Sequence, residues 1–203
     1  RSLGYHIMDP AEGWLACGIT GVGRLPEPEA IVDWLESKMC STNELEGTTI
    51  LVTAGGTQES IDPVRYIGNR SSGKMGYAIA EQAAHMGAKV ILVSAPTSLP
   101  IPSGVDFISV DSAVSMQEAV EACYNDVNVV IMAAAVSDFR VLHKAEQKIK
   151  KMESMTIELV KNPDILQGLG SKKNHQILVG FAAETEHVIK YGQYKVARKN
   201  LDM

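Results

Sequence analysis

The chain has 203 residues, of which 45% are hydrophobic and 21% are charged, and its formal net charge is −5. These values are those of a globular protein with one substantial domain and an appendage, or with two small domains. The negative charge and the lack of a long basic run argue against general nucleic-acid binding. No apolar run approaches the roughly 20 residues that cross a bilayer. We therefore expect partners that are neither nucleic acids nor membranes.

The three cysteines, Cys17, Cys40 and Cys123, are scattered and form no CxxC pair. This spacing argues against a zinc site and a disulfide scaffold, and is typical of a protein in a reducing compartment. The five histidines show no metal-ligand spacing either. No signal peptide is visible at the start of the sequence. The sequence therefore predicts a soluble protein of the cytoplasm.

Residues 1–47 differ in composition from the rest of the chain. They are rich in glycine and proline, contain a short helical pattern at residues 31–35, and end in the polar run STNELEG. Such clusters are typical of loops and linkers, and the segment is too small to bury a core of its own. We therefore predict a domain boundary after Gly47, with the main domain over residues 48–203.

From Thr48 onwards, strand and helix patterns alternate. We predict strands at residues 49–53, 89–94, 105–110, 127–136 and 177–181, and helices at residues 77–86, 112–123 and 185–199. The fourth strand, VNVVIMAAAV, is almost wholly apolar, as expected of a strand buried on both faces. This alternation predicts an α/β, Rossmann-like doubly wound domain, with a mostly parallel sheet and helices on both faces. Ligands of such sheets bind outside the carboxyl ends of the strands.

The stretch LVTAGGTQESIDPVRYIGNRSSGKMG, at residues 51–76, joins the first strand to the first helix of this domain. Gly55 and Gly56 follow the strand. Two glycines make a tight turn that any α/β protein can use, and they lack the GxGxxG spacing of a dinucleotide fingerprint. This pair alone is equally compatible with a structural turn and with a site for a phosphate-bearing ligand.

The polar segment from Asn69 to Gly76 is more specific, because it gathers amide, hydroxyl and ammonium donors at the start of a helix. Ser71 or Ser72 is expected as the N-cap of that helix, which explains one serine. A cap explains neither Asn69 nor Lys74. Since helix N-termini attract anions, the segment predicts a phosphate-binding site.

The central apolar strand ends in the run AAAVSD, residues 133–138. Small residues let a ligand approach the backbone, and Asp138 adds a carboxylate at the mouth of the strand. The basic run KIKK, residues 148–151, follows soon after. Such a run usually belongs to a solvated surface, but its position after the central strand favours contact of at least one lysine with a phosphate.

Three further features lie at strand ends or helix ends. The segment KNPDIL is typical of a helix start, with Asn162 as the N-cap and Pro163 at the first helical position. Phe181 follows another buried strand, where it could pack in the core or stack on a base. Lys195 and Lys199 lie one helical turn apart, where they could bind a ligand or simply favour the helix end.

Several of these segments, in this order, resemble phosphopantothenoylcysteine synthetase, the CTP-using ligase of coenzyme A biosynthesis. They are DPVRYIGNRSSGKMG, AAAVSDF, KIKK, KNPDIL, GFAAET and RKNLDM, and the resemblance covers about Gly47 to Met203. Residues 10–28, with GWLACG and GRLPEPE, resemble the tail of phosphopantothenoylcysteine decarboxylase. The two activities are fused in a bifunctional bacterial enzyme, so residues 1–47 are expected to be the remnant of a flavin-dependent decarboxylase domain.

The resemblance implies a reaction in two steps. The carboxylate of 4′-phosphopantothenate attacks the α-phosphorus of CTP, which gives an acyl-cytidylate and pyrophosphate, and the amine of L-cysteine then displaces CMP. It also implies Mg²⁺ with the CTP and a homodimer through the ligase domain. The full-length fusion is expected to form a larger assembly and to decarboxylate the product with FMN.

The resemblance also implies roles for individual residues. Asn69 matches the asparagine that acts on the acyl-cytidylate, Lys148 matches the lysine needed to form it, and Cys17 matches the flap cysteine that is the acid of the decarboxylase. Substrate binding is assigned to Asn69, Ser71, Ser72 and Lys74. Binding of CTP is assigned to Gly55, Gly56, Ala133, Ala134, Asp138, Lys148, Pro163, Asp164, Ile165, Leu166, Phe181, Lys195 and Lys199. The metal ligands are left open.

The chain departs from the family pattern at both ends. The flavin-binding part of the decarboxylase is absent, so Cys17 is expected to be inactive in this chain. The family continues beyond Met203 with further strands that help pantothenate binding and dimerisation, so the ligase domain is expected to be truncated here.

Two other functions remain as alternatives. Tyr191 and Lys195 have the Tyr-xxx-Lys spacing of a nicotinamide-dependent short-chain dehydrogenase, in which lysine lowers the pKa of the tyrosine acid. Against this, the glycine turn has the wrong spacing, and the strand at residues 89–94 lacks an acidic residue for a ribose hydroxyl. The second alternative is a module that binds a nucleotide without turnover.

Overall fold

The computed structural model describes residues 7–39, 43–183 and 186–203. The chain divides into two compact units, Arg1–Thr42 and Asn43–Met203. The predictions on Cys40 and on Thr185 lie outside the described residues. Within the described part of the chain, no helix has both the length and the apolar composition that a bilayer crossing needs.

The first unit holds a β-hairpin followed by a helix. Strands β1 (Ala11–Trp14) and β2 (Thr20–Arg24) pair antiparallel, and helix α1 spans Pro28–Met39. Cys17 lies in the tight connection of the hairpin, where it is exposed. Helix α1 contains the short helical pattern that was predicted at residues 31–35.

The second unit alternates strands and helices. Its strands are β3 (Thr49–Ala54), β4 (Gln58–Ser60), β5 (Tyr66–Gly68), β6 (Lys89–Ser94), β7 (Val105–Ser109), β8 (Val129–Met132), β9 (Phe139–Val141), β10 (Leu159–Lys161) and β11 (Ile177–Gly180). Its helices are α2 (Lys74–His85), α3 (Ala113–Cys123), α4 (Ile165–Lys172) and α5 (Val188–Lys199), with a 3₁₀ turn at Tyr124–Asp126. The central sheet has the order β11-β8-β3-β6-β7 and every neighbouring pair is parallel. The predicted α/β, Rossmann-like fold is confirmed.

Side chains of β3 alternate between the two faces of this sheet, because successive residues of a strand point to opposite sides. Ile50 and Val52 pack with residues of α2, whereas Leu51 packs with residues of α3 and α4. Each fully buried aliphatic side chain contributes about 1.5–3 kcal/mol of transfer free energy. The helices therefore cover both faces, as the doubly wound prediction requires.

The N-caps of two helices differ from those predicted. Helix α2 begins at Lys74 with Gly73 as its N-cap in a left-handed conformation, so the prediction of a serine N-cap is wrong. Helix α4 begins at Ile165, and its N-cap is Asp164, whose side chain accepts a hydrogen bond from Gln167. Asn162 is therefore not the N-cap, because its side chain is buried and used elsewhere.

The strand predicted at residues 127–136 is shorter than expected, since β8 ends at Met132. The chain then leaves the regular ladder but stays beside the end of β3 through an isolated parallel bridge between Gly56 and Ala135. Two small antiparallel pairs, β4 with β5 and β9 with β10, were not predicted. Strands of three residues are too short to show a periodic pattern.

We predict opposite effects from alanine at two glycines of α4. A β-carbon at Gly170 would overlap the backbone oxygen of Lys199, which belongs to the end of α5. Gly170→Ala should therefore lower the free energy of unfolding by about 1–3 kcal/mol through overpacking. The measurement is urea denaturation followed by circular dichroism.

Gly168→Ala is the matched control in the same helix, because, apart from the neighbouring residues and backbone of α4 itself, no described atom lies within 4 Å of the position of its β-carbon. Alanine there should leave stability unchanged or raise it by about 0.5–1 kcal/mol, as expected of a helix interior. Equal effects of the two substitutions would contradict the packing of α4 against α5.

Candidate functional site

The strand order fixes where a ligand is expected. The chain runs outward from β3 through β6 to β7, and then crosses back to place β8 on the other side of β3. In open α/β sheets, the crevice outside the carboxyl ends of the two strands at such a reversal is the usual ligand site. The candidate site therefore lies beyond the ends of β3 and β8.

The glycine turn forms the floor of this crevice. Gly55 has a φ of 79°, in the left-handed region that favours glycine, and a β-carbon on it would lie 2.6 Å from the backbone oxygen of Ala95. A β-carbon on Gly56 would lie 2.9 Å from the backbone oxygen of Asn69. Both positions exclude larger residues because other backbone segments approach closely. This close approach explains the glycine pair, whose purpose the sequence left undecided.

A cleft of about 480 Å³ opens beside this floor. It brings together the predicted substrate-binding residues with the loop after β6, and its polar lining includes Asn69, Ser71, Ser72, Lys74, Thr97 and Ser98. The N-terminus of α2 adjoins it, and its N-cap, Gly73, has no side chain that could accept from the first N–H groups of the helix. The Gly73 N–H itself donates to Ser71 Oγ at 3.3 Å. Hydroxyl, amide and ammonium donors thus face one concave volume, as an anionic ligand requires. Thr97 and Ser98 were not predicted as site residues.

Asn69 connects this cleft to the loop after β8. Its Nδ2 atom donates a hydrogen bond to the backbone oxygen of Val136 at 3.2 Å. That bond uses one of the two hydrogens that a carboxamide nitrogen carries. The contact fixes the orientation of the amide at the reversal point of the sheet, which is where the sequence predicted chemistry.

The loop after β8 is tied to neighbouring elements by its backbone. The Ala134 N–H donates to Thr53 Oγ1 at 3.1 Å, and the Ser137 N–H donates to Thr57 Oγ1 at 2.9 Å. The buried side chain of Asn162 donates from Nδ2 to the backbone oxygen of Ser137 at 2.8 Å. The small residues predicted at this strand end therefore lie in a fixed loop, and Asp138 follows them on the exposed side.

Lys148 lies in a different cavity, with a volume of about 370 Å³. Its lining consists of Arg65 and the four residues 148–151, three of which are lysines. None of these residues lines the cleft that holds Asn69. Asn69 and Lys148, the two residues predicted to be catalytic in the ligase, are therefore not in one pocket of this structure. Lys148 lies in a separate basic cavity.

Sequence reasoning did not single out Asp62, which anchors the segment that carries Lys148. The carboxylate is 1% exposed and forms an ion pair with Arg65 at 2.6 Å. Burial by itself raises the pKa of Asp62, but hydrogen bonds from the Arg65 side chain and from backbone N–H groups outweigh it and hold that pKa well below its usual range. Asp62 is therefore a fixed negative charge. Only its place in a turn with Pro63 was visible in the sequence.

The residues near α4 that were predicted to bind the nucleotide differ in their surroundings. Asp164 pairs with Lys199 at 2.9 Å, so this lysine already has a carboxylate partner. Burial raises the pKa of Asp164, but the hydrogen bond from Lys199 outweighs it and the pKa is lowered. Ile165 is buried in the core, so its side chain does not face a ligand, while Leu166 packs partly against the same core. Pro163 is half-buried.

The remaining predicted residues lie on the last strand and the last helix. Phe181 directly follows β11 and is 49% exposed, so its ring is available for stacking. Tyr191 and Lys195 both lie on α5, one turn apart. Among the described residues, no group of three or more His, Cys, Asp or Glu side chains is arranged to hold a metal ion.

Comparison with known proteins connects these features to one family. Residues 45–203 match the DNA/pantothenate metabolism flavoprotein C-terminal domain. The chain is 50% identical over 204 residues to the coenzyme A biosynthesis bifunctional protein CoaBC of Bacillus subtilis (strain 168), covering 98% of this chain and 50% of that protein. It is 47% identical over 207 residues to CoaBC of Escherichia coli (strain K12), covering 100% of this chain and 51% of that protein. The chain thus spans about half the length of these curated relatives.

Solved structures agree with the sequence match. The crystal structure of the C-terminal domain of CoaBC has a TM-score of 0.72 and 49% identity, covering 79% of this chain and 77% of that chain. A Cab2 variant in complex with phosphopantothenate-cysteine has a TM-score of 0.62 and 19% identity, covering 87% of this chain and 79% of that chain, and shows the fold alone. The resemblance drawn from the motifs is confirmed at the level of the family. The chain belongs to the DNA/pantothenate metabolism flavoprotein C-terminal domain family.

Proposed function

We propose that this chain is the part of a coenzyme A biosynthesis enzyme that joins 4′-phosphopantothenate to L-cysteine. The reaction uses CTP, passes through an acyl-cytidylate, and releases pyrophosphate and CMP. The observation that carries this proposal is the position of Asn69, whose amide is oriented by Val136 at the reversal point of the sheet, in a cleft with hydroxyl and ammonium donors.

The comparisons support the same proposal. CoaBC is named for coenzyme A biosynthesis, and two such relatives match this chain at 47–50% identity. A fold neighbour was solved with phosphopantothenate-cysteine, the compound that the proposed reaction makes. A phosphorylated acid and a nucleoside triphosphate both need cationic and N–H donors, which the cleft and the basic cavity supply.

In the first step, a carboxylate oxygen of 4′-phosphopantothenate attacks the α-phosphorus of CTP, and the bond to the β-phosphate breaks to release pyrophosphate. Both reactants are anionic, so their approach requires positive charge. Lys148 supplies it in this proposal, in a cavity that is lined by two more lysines. Lysine suits this role because its ammonium is a compact charge on a flexible stem.

Mg²⁺ is part of the proposal as a companion of CTP, where it neutralises charge on the phosphates. Such sites usually hold Mg²⁺ through substrate phosphates and only one or two carboxylates. This chain fits that pattern, since Asp138 is exposed at the end of the loop after β8 and the described residues contain no larger acidic cluster.

In the second step, the amine of cysteine attacks the acyl carbon, the bond to CMP breaks, and the amine loses a proton. Asn69 Nδ2 donates a hydrogen bond to the acyl oxygen as negative charge develops on it. Holding amine and acyl-cytidylate side by side adds to this effect, because effective molarities of about 10⁵ M and above are attainable.

The rest of the proposal concerns nucleotide contacts and the whole protein. Phe181 stacks on cytosine, and Lys195 and Lys199 act on the triphosphate side of the site. Cys17, in the connection of the β1–β2 hairpin, serves an FMN-dependent decarboxylase activity of the full-length protein. Homodimerisation through this domain and a cytoplasmic location belong to the same proposal.

The alternatives make different experimental predictions. A module that only binds a nucleotide would hold CTP without releasing pyrophosphate. The dehydrogenase alternative loses support, because the family match spans the whole segment that contains Tyr191 and Lys195.

Asn69→Ala should allow the first step and impair the second. Pyrophosphate should still be released on mixing with CTP and 4′-phosphopantothenate, but amide formation should fall by about 100-fold, the typical effect of losing one oxyanion donor. The measurement is product formation by mass spectrometry after addition of cysteine. Asn125→Ala, at an exposed asparagine of the 3₁₀ turn, is the control. Unchanged amide formation in Asn69→Ala would remove that residue from the second step.

Lys148→Gln should abolish pyrophosphate release, because the charge that screens the two anionic reactants is lost while the length of the side chain is nearly kept. A coupled pyrophosphate assay without cysteine measures this step alone. Lys144→Gln provides the control, since that lysine is exposed in the same segment but does not line the basic cavity. Normal release by Lys148→Gln would show that another group activates the phosphates.

CTP should raise the melting temperature of the chain more than ATP at the same concentration. A ligand that binds only the folded state stabilises it by an amount that grows with the logarithm of the ratio of its concentration to its Kd, so the nucleotide that binds more tightly gives the larger shift. Differential scanning fluorimetry with both nucleotides and Mg²⁺ measures the difference. Equal shifts would contradict selectivity for cytosine.

A further inference from the structure

The turn between β4 and β5 is built around the carboxylate of Asp62. Its Oδ1 atom accepts hydrogen bonds from the backbone N–H groups of Val64 and Arg65, at 2.8 and 2.9 Å. Its Oδ2 atom accepts two more from the Arg65 side chain, from Nε at 3.0 Å and from Nη2 at 2.6 Å. Both oxygens are thus used, and the aspartate is buried.

The same two side chains hold a second segment of the chain, the one that carries Lys148. The backbone N–H of Ile149 donates to Asp62 Oδ2 at 3.1 Å, and its carbonyl oxygen accepts from Arg65 Nη2 at 2.7 Å. Four residues earlier, the N–H of Ala145 donates at 2.9 Å to the carbonyl oxygen of the residue before Asp62. The segment is therefore tied at both ends to one turn, and Lys148 directly precedes one of the ties.

We propose that Asp62 and Arg65 are positioning residues for Lys148: by fixing the backbone of Ile149, they determine where the lysine ammonium can reach. The proposal rests on the proposed function, in which Lys148 serves the formation of the acyl-cytidylate. In this proposal neither positioning residue acts on the reacting atoms. They act through the backbone of Ile149. Because the lysine stem is long and flexible, the position of the backbone sets the volume that the ammonium can reach.

The same turn leads directly to the other candidate catalytic residue. After Arg65 come the three residues of β5, which pair with β4, and Asn69 follows at once. One turn therefore sets Lys148 through hydrogen bonds and Asn69 through a paired strand. This arrangement lets two separate cavities keep a fixed relation to each other, as successive steps on one substrate require.

The chemistry of both side chains is specific. Each carboxylate oxygen of Asp62 accepts at least two hydrogen bonds from N–H groups. In Asp62→Asn, the amide NH₂ group would therefore face N–H donors whichever way the amide is turned. A lysine at Arg65 could reach the carboxylate or the Ile149 oxygen, but it lacks the planar fork that joins both. The structure therefore predicts that even conservative substitutions at these positions loosen the segment, and that Asp62→Asn does so more than Arg65→Lys.

The first arm of the test measures how accessible the segment is to a protease, without reference to catalysis. Asp62→Asn leaves every trypsin site in place, so limited trypsin digestion followed by mass spectrometry can compare single bonds. We expect faster cleavage between Lys148 and Ile149 in the variant. Cleavage between Lys172 and Lys173, at the end of α4, should stay at the wild-type rate and serves as the internal reference.

The second arm measures the first chemical step. In Asp62→Asn, the single-turnover rate constant for pyrophosphate release without cysteine should fall by about 100-fold, the size of effect expected from misplacing a catalytic group by about 1 Å. The concentration of 4′-phosphopantothenate that gives half of the maximal rate constant should change little. Arg65→Lys should lie between wild type and Asp62→Asn in both arms. Asp106→Asn, at an exposed aspartate on β7, is the matched control and should behave as wild type.

The outcomes separate the two proposals. Wild-type cleavage at Lys148 together with a wild-type rate constant for pyrophosphate release in Asp62→Asn would overturn the positioning role. A uniform rise in cleavage at both measured bonds would also overturn it, because it indicates general destabilisation. If the wild type releases no pyrophosphate, the proposed function fails, while selective cleavage still decides whether Asp62 holds the segment. If Asp62→Asn does not fold, Arg65→Lys carries the same comparison.

Discussion

The parallel pairing of β3 with β8 is the constraint on which the rest of the site depends. It places the ends of two strands that are distant in sequence side by side, and a further bridge between Gly56 and Ala135 continues the contact beyond the regular ladder. At Gly55 and Gly56, other backbone segments approach more closely than any larger residue would allow. The loops of the site can therefore lie against this glycine turn. The Asn69 amide is oriented by one of those loops.

A second layer of order comes from polar contacts between loops. The loop after β8 is tied to Thr53, Thr57 and Asn162, and the segment with Lys148 is tied to the turn of Asp62. Buried polar groups of this kind need partners, and a half-satisfied group would be costly. The hydrogen bonds therefore do more than stabilise the loops, because they select one arrangement of them. Hydrogen bonds to neighbouring elements thus hold the irregular segments of the site.

The sequence predicted the parts of the fold that show long patterns. The apolar runs of β3, β6 and β11 were enough to predict the parallel sheet. The predicted start of helix α3 lies within one residue of the observed start. Local capping was predicted poorly. Asn162 looked like a cap by its residue type, but its tertiary bond to Ser137 competes with that role, and Asp164 caps α4 instead.

The site was predicted in part, for a physical reason. Asn69, Ser71, Ser72 and Lys74 are close in sequence, so a motif could reveal them, and the structure gathers them in one cleft. Thr97 and Ser98 come from the loop after β6, and no local pattern marks them. Asp62 is a similar case, since its importance arises from a bond to Ile149 across 87 positions of the chain. Contacts of this range depend on the fold and leave no periodic signal.

Activation and amide formation are, in the proposed function, separate steps served by separate parts of this unit. The most direct measurement is pyrophosphate release with 4′-phosphopantothenate and each of the four nucleoside triphosphates, with and without cysteine. We expect release with CTP before any cysteine is added, limited to about one equivalent per site, and continued turnover after its addition. Release that requires cysteine from the start, or no release with any nucleotide, would contradict the division into two steps.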